Sequence, residues 1–304
     1  MPHPDRLRRA LLRGLATGLL APLAVRAGRR DDATEDALAA LERRAGGRLG
    51  VCVHDAGDGA SLAWRGSERF ALCSTFKLLL AAVVLREADA GRLALDEELA
   101  FGREDLVPHA PVVERHLAAG RMRIDALAEA TQTTSDNVAA NLLIRRLGGP
   151  AAVTAGFRAL GDDTTRIDRY EPAMNRVALG DPRDTTTPDA IARTAARLFS
   201  GDLLSVAAQA RLRDWMIATR TGMRRLRAGL PADWIVGDKT GTGSNPQTGN
   251  QHNDVAVLWR DGRAPVAIAA YYAVGAYHPE MRAQDDAVLA EVGRIAAEWI
   301  ARRG

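Results

Sequence analysis

Residues 73–88 read "CSTFKLLLAAVVLREA". From Phe76 to Leu85 every position but one is apolar, so a helix built on this stretch has no face suited to water and reads as a buried central helix. The exception is Lys77, and Ser74 stands one helical turn before it. Of the 41 basic side chains in the chain, two are lysines, Lys77 and Lys239. An arginine keeps its proton near neutral pH, whereas a desolvated lysine can lose it. Ser-x-x-Lys at a helix start therefore offers a hydroxyl at the positive end of the helix, with an amine on the same face that could take the serine proton.

Outward from this helix the period of the sequence changes twice. On the N-terminal side, Asp31–Arg44 is helical, and "LGVCVHDAGDGASLAW" (49–64) reads as two strands around a Gly-rich turn. On the C-terminal side the middle of the chain stays helical. "NVAANLLIRRLGGP" (137–150) ends on a helix stop, and a long polar segment from Gly161 to Thr187 precedes helical sequence resuming at Pro188. From Trp234 the pattern is strand again. "DVAVLWR" and "APVAIAAYYAV" are joined across Asp261-Gly262, a strong hairpin signal, and an amphipathic helix carrying Leu289, Val292, Ile295 and Trp299 follows. Strands at both ends of a helical middle predict a two-domain α/β protein. Residues 28–65 and 218–304 would form a sheet flanked by helices, with an all-α domain, 66–217, inserted between them.

The formal charge of +3 misleads about partners. The first 27 residues hold five arginines (Arg6, Arg8, Arg9, Arg13, Arg26) against Asp5, and removing that excess of four leaves −1 for the rest. A nucleic-acid surface is not expected on so balanced a body. The leader, 1–27, reads as an export signal: a basic region through Arg13, an apolar run Leu15–Val25 too short to span a bilayer, and small residues around Val25-Arg26-Ala27. "RRALLR" (8–13) resembles a twin-arginine signal, so the Sec and twin-arginine routes both stay open. The expected site of action is periplasmic or extracellular. Two cysteines, Cys52 and Cys73, are too few for a disulfide scaffold, and six scattered histidines show no ligand spacing, so neither a metal nor another cofactor is expected.

Two further motifs accompany Ser74-x-x-Lys77: Ser135-Asp136-Asn137 before a helix, and Lys239-Thr240-Gly241 after an apolar strand. Each has a bland reading by itself. Ser74 could cap a helix, Asp136 another, Lys239 could be a surface charge, and Glu171 a solvated loop acid. Their order, with both lysines consumed by two motifs, resembles the serine β-lactamases of class A and their penicillin-binding relatives. "EPAMN" (171–175) matches the glutamate and asparagine of the class A omega loop, here 166–184. The resemblance runs from about Asp31 to the C-terminus.

It implies the β-lactamase/transpeptidase-like fold with an antiparallel sheet, a monomer without a membrane anchor after signal cleavage, and small-molecule β-lactams as substrates. Ser74 would be the nucleophile, Lys77 or Glu171 its base, and Ser135 with Lys239 the route of a proton to the leaving nitrogen. Glu171 and Asn175 would activate the deacylating water. The amides of Ser74 and Thr242 would form the oxyanion hole. Asn137 would meet the substrate side chain, and Lys239, Thr240, Gly241 and Thr242 would receive its carboxylate. Arg225 matches a position where some relatives add a cation for that carboxylate; a solvated surface arginine is the alternative. Asp136 would be structural, as would Arg169 and Asp184, which in the family close the loop, with a cis bond expected at Glu171-Pro172. A penicillin-binding sensor or DD-peptidase, or a silent binding protein of the same fold, are the other readings.

Three departures stand out. Cys73 takes the place of one half of a disulfide found in carbapenem-hydrolysing relatives, but the partner position is Gly243, so an unpaired thiol is expected. His109 falls where relatives carry an aromatic gatekeeper beside the cleft. "SNPQTGNQH" (244–252) is expected to lengthen the loop edging the site. Lys77→Arg keeps the charge but removes the titration, and is expected to abolish acylation measured by stopped-flow with a chromogenic cephalosporin. Retained acylation would remove the need for an amine that titrates.

Overall fold

The structure, a computed structural model, describes residues 23–303, with side chains from Ala33 onward. The export-signal expectation falls mainly on residues 1–22, outside the described residues. In chain order the elements are α1 (Leu23–Ala45), β1 (Arg48–Asp55), β2 (Ser61–Trp64), β3 (Phe70–Ala71), α2 (Phe76–Asp89), β4 (Glu98–Ala100), β5 (Arg121–Arg123), α3 (Ile124–Thr133), α4 (Asn137–Arg146) and α5 (Pro150–Ala159). There follow β6 (Thr185–Thr186), α6 (Pro188–Arg197), α7 (Val206–Ala218), α8 (Leu226–Gly229), β7 (Ile235–Asn245), β8 (Gly249–Trp259), β9 (Val266–Ala273) and α9 (Ala283–Arg302).

The main sheet is antiparallel in the order β2-β1-β9-β8-β7, so strands from both ends of the chain lie side by side. Both of its faces are covered, and strand alternation decides which residue faces which layer. Val51, Val53, Leu258, Ile268 and Ala270 pack with Leu38 of α1, Leu226 of α8, and Leu289, Val292 and Trp299 of α9. Cys52, Val255, Val257, Ala269 and Tyr271 point the other way, into the larger core built around α2 with α3–α7. Phe76 to Leu85 of α2 are all buried, as expected of a helix with no polar face. A 3-10 turn, Cys73–Thr75, leads into it and lies against β7.

One expectation is corrected here. Residues 244–252 are not an extended loop. The β7–β8 ladder runs unbroken from Ile235↔Trp259 to Asn245↔Gly249, so this polar stretch lengthens two strands and leaves a tight turn. Its residues pair through the backbone, which polarity of side chain does not forbid. β7 is the edge of the sheet, and its unpaired side is available to other groups.

The α8–α9 contact depends on the absence of a side chain at Gly229. A Cβ there would stand 1.8 Å from the Ala290 carbonyl oxygen and 2.6 Å from the Arg294 amide nitrogen, both rigid helix backbone. Gly229→Ala is therefore expected to lower stability by about 1–3 kcal/mol through overpacking, read as a reduced melting temperature by circular dichroism.

Candidate active site

Three segments converge on the start of α2. Ser74 sits in the 3-10 turn, and Lys77 one turn later has no exposed surface. Ser135 occupies the α3–α4 connection with φ of 62°, a left-handed conformation. It is held there because Asp136 caps α4 on the Ala139 amide at 2.9 Å and receives the Val112 and Val113 amides at 2.9 and 3.0 Å with its other oxygen. Asn137 opens α4. Its Nδ2 donates to the Pro108 carbonyl at 2.8 Å, which leaves one amide N–H unspent.

Lys77 Nζ lies 3.1 Å from Ser74 Oγ, 2.9 Å from the Ser135 carbonyl, 2.5 Å from Asn137 Oδ1 and 3.2 Å from Glu171 Oε1. Burial holds its pKa below the usual lysine value, with the Glu171 carboxylate opposing that shift. Ser74 Oγ donates to Glu171 Oε1 at 3.3 Å, so both candidate bases touch the same hydroxyl. Asn175 Nδ2 donates to the other glutamate oxygen at 2.6 Å, while the buried Asn175 Oδ1 finds no partner among the described residues.

Lys239 reaches Ser135 from the opposite side. Its Nζ stands 3.1 Å from Ser135 Oγ and 2.8 Å from the Thr240 carbonyl, with no surface exposed. Burial and the nearby Lys77 charge lower its pKa to about 7. Ser135 Oγ thus receives N–H groups from Lys239 and, at 3.4 Å, from Lys77, which leaves its own hydrogen for another acceptor. Gly241 lets β7 come this close, since a Cβ there would meet the Leu72 carbonyl oxygen at 2.8 Å.

The loop that carries Glu171 is tied at several points. The Glu171–Pro172 peptide is cis. Arg169 Nε meets Asp184 Oδ2 at 2.5 Å, and the Asp168 and Arg169 amides donate to Asp184 Oδ1 at 2.6 and 3.1 Å. Asn141, which sequence reasoning missed, brackets the glutamate itself: its amide donates to the Glu171 carbonyl and accepts the Glu171 N–H, both at 2.9 Å. The available signal was a second asparagine four residues after Asn137 in an apolar helix, on the same face. Thr221 was also missed; its hydroxyl lies 2.7 Å from that of Thr240.

Arg225 is not a solvated surface arginine. It is buried beneath β7, where Nε donates to Asp286 Oδ1 at 2.8 Å, Nη1 to the Gly241 and Asn253 carbonyls at 2.9 and 2.8 Å, and Nη2 to Thr242 Oγ1 at 2.8 Å. His109 is exposed beside Asn137, with φ of 66° and Nε2 2.9 Å from the Thr134 carbonyl.

A serine hydroxyl between a buried lysine and a glutamate, with a second serine shared by two lysines, is an arrangement for acyl transfer. The model of the beta-lactamase enzyme family matches residues 33–300. The chain belongs to that family. It is 46% identical over 296 residues to β-lactamase L2 of Stenotrophomonas maltophilia, covering 94% of this chain and 95% of that one. To CTX-M-8 of Citrobacter amalonaticus it is 43% identical over 262 residues, covering 86% and 87%. Among solved structures it is similar to an ancestral class A β-lactamase, with a TM-score of 0.82, 52% identity, and coverage of 88% of this chain and 99% of that one. A β-lactamase from Burkholderia vietnamiensis gives a TM-score of 0.83 at 46% identity, covering 90% and 98%. The fold is therefore the class A α/β fold. Among the described residues no helix is long and apolar enough to cross a membrane.

Both cysteines of this β-lactamase are free and buried. Burial, with Glu171 nearby, pushes the Cys73 thiol up to about 12. A Cβ at Gly243 would lie 3.0 Å from Cys73 Sγ, close to what bonded sulfurs impose. Gly243→Cys is accordingly expected to form a bridge to Cys73 on oxidation, so that thiol titration after denaturation finds only Cys52; three free thiols would contradict this.

Proposed function

We propose that the protein opens the amide bond of penicillins and cephalosporins through an acyl-enzyme on Ser74 and then hydrolyses that ester, conferring resistance on its host. The observation that carries this reading is Glu171, whose two oxygens touch Ser74 and Lys77 on one side and Asn175 on the other. In the first half-reaction Ser74 Oγ attacks the ring carbonyl, and its proton passes to Lys77 or, through water, to Glu171. The carbon–nitrogen bond breaks, and the nitrogen takes a proton by way of Ser135, which Lys239 supports. The amides of Ser74 and Thr242 hold the oxyanion.

In the second half-reaction Glu171 removes a proton from a water placed with Asn175. That water attacks the ester carbon, and Ser74 leaves with a proton. Asn137 has one amide N–H for the substrate side chain, and His109 flanks the same entrance. Lys239, Thr240, Gly241 and Thr242 line the carboxylate position, with Arg225 behind them. Asp136, Arg169 and Asp184 keep the loops in place. The same reading takes 28–65 with 218–304 as one domain and 66–217 as the inserted one, and has the chain exported, cleaved after residue 27 and active as a monomer.

Turnover of nitrocefin by the purified protein separates this function from that of a penicillin-binding sensor: steady hydrolysis is expected, and a single burst would reject the reading. Glu171→Ala is expected to acylate but to lose roughly 10²–10⁴-fold in turnover, the scale of a lost general base, with a persistent adduct seen by intact-protein mass spectrometry. Turnover at the parent's rate would overturn the role given to Glu171.

A further inference from the structure

Behind the catalytic edge of β7, Arg225 leads from Thr242 to a buried pair, His252 and Asp286, that the acyl-transfer steps leave unused. Thr242 and His252 are directly opposed in the β7–β8 ladder, so their side chains leave the sheet on the same face, the one that α9 covers. His252 has no exposed surface. Its Nδ1 lies 3.1 Å from Asp286 Oδ1, and its Nε2 faces Asp285 Oδ2 at 3.6 Å with no hydrogen-bond partner among the described residues. Both acids belong to the first turn of α9, where the helix N-terminus favours negative charge.

The oxygen of Asp286 that meets His252 is the one that accepts Arg225 Nε. Arg225 in turn spends an Nη2 hydrogen on Thr242 Oγ1. A hydroxyl oxygen that receives an N–H turns its own hydrogen elsewhere, and Thr242, exposed on the edge strand, then has that hydrogen to give to an acceptor in the cleft. The direction of the Thr242 O–H is thus set by Arg225; the Gly241 and Asn253 carbonyls anchor one end of the guanidinium, Asp286 holds its Nε, and His252 meets the same Asp286 oxygen. Burial opposes the charge on Asp286, but the bonds from His252 and Arg225 outweigh it and bring its pKa to about 2.

Competitors surround this chain of contacts. Arg224, exposed, has its Nε 3.6 Å from Asp286 Oδ2, and Arg282 already holds Asp285 at 2.7–2.8 Å. From the neighbouring strand, Tyr272 stands opposite His252. Without the imidazole, Asp286 could turn toward Arg224, leaving Arg225 its Nη1 bonds to two carbonyls but no partner at Nε to keep Nη2 aimed at Thr242.

We propose that His252 is a positioning residue for substrate recognition: it fixes Asp286, hence Arg225, hence the hydroxyl with which Thr242 receives the carboxylate of a β-lactam. The proposal rests on the β-lactamase reading above. It assigns His252 to affinity for the carboxylate and not to the making or breaking of the acyl bond.

The test compares binding of phenylboronic acid and 3-carboxyphenylboronic acid by calorimetry, alongside kcat and KM for benzylpenicillin. The parent is expected to prefer the carboxylated compound. In His252→Leu that preference is expected to fall roughly tenfold, the scale of one charge-assisted hydrogen bond, with KM rising in parallel and kcat holding. His252→Gln, which can still donate to Asp286, is expected to recover most of the preference. A variant that merely loosened the fold would weaken both boronates alike. Should His252→Leu fail to fold, Asp286→Asn carries the same expectation. An unchanged preference in either variant, no preference in the parent, or a Gln variant no better than Leu would overturn the proposal. Failure of the parent to turn over nitrocefin would instead count against the proposed reaction, and the boronate ratio would still read the carboxylate site.

Discussion

Lys77 is an amine buried in the central helix α2, where every residue from Phe76 to Leu85 is buried, and the way that amine is met organises the rest of the site. An ammonium without partners in such a place costs several kcal/mol, so it must be given acceptors or lose its proton. Only Ser74 is near it in sequence. The Ser135 carbonyl and Asn137 come from the α3–α4 connection, and Glu171 comes from the long loop. Each can arrive only if the helical layer has packed around α2 and the loop has closed. Assembly of the fold and assembly of the site are therefore one event.

The same constraint accounts for the second lysine. Lys239 is buried within the field of Lys77, and Ser135 lies between the two amines. Two fixed charges at this separation would repel each other in a medium that screens little. Two lysines can resolve the conflict by sharing fewer than two protons, and two arginines could not. A chain that elsewhere uses arginine throughout spends its only lysines here.

Much of this was legible in the sequence because it is written in local order. The apolar run of α2, the β-rich runs of β8 and β9, and the turn at Asp261-Gly262 each specify an element without reference to distant residues. Ser74, Lys77, Ser135, Glu171 and Lys239 were named from motifs, and they are brought together. What was not legible depended on who pairs with whom. Residues 244–252 look like a loop because they are polar, but the register continued from Lys239↔Val255 extends the ladder through them. Arg225 reads equally as a cation for the substrate carboxylate or as a surface charge until Asp286, sixty-one positions later, supplies its counterion. Asn141 looks like an odd polar residue in a helix until the Glu171 backbone is placed against it.

That last pairing shows how a catalytic acid can be precise without regular secondary structure beneath it. The segment from Gly161 to Thr187 has little ladder or helix to hold it, so its shape is fixed by side chains bonding to backbone. Asp162 accepts the Thr164 and Thr165 amides and the Thr165 and Thr194 hydroxyls; Asp184 accepts two amides and the Arg169 guanidinium. Both carboxylates are almost fully buried, and a buried carboxylate that accepts this many donors leaves little room for alternatives, because any slip would strand a charge. Asn141 then transmits the position of α4 directly to the glutamate backbone. The loop is thus tied to α4 by two hydrogen bonds at the residue where a displacement of an ångström would separate Glu171 from Ser74.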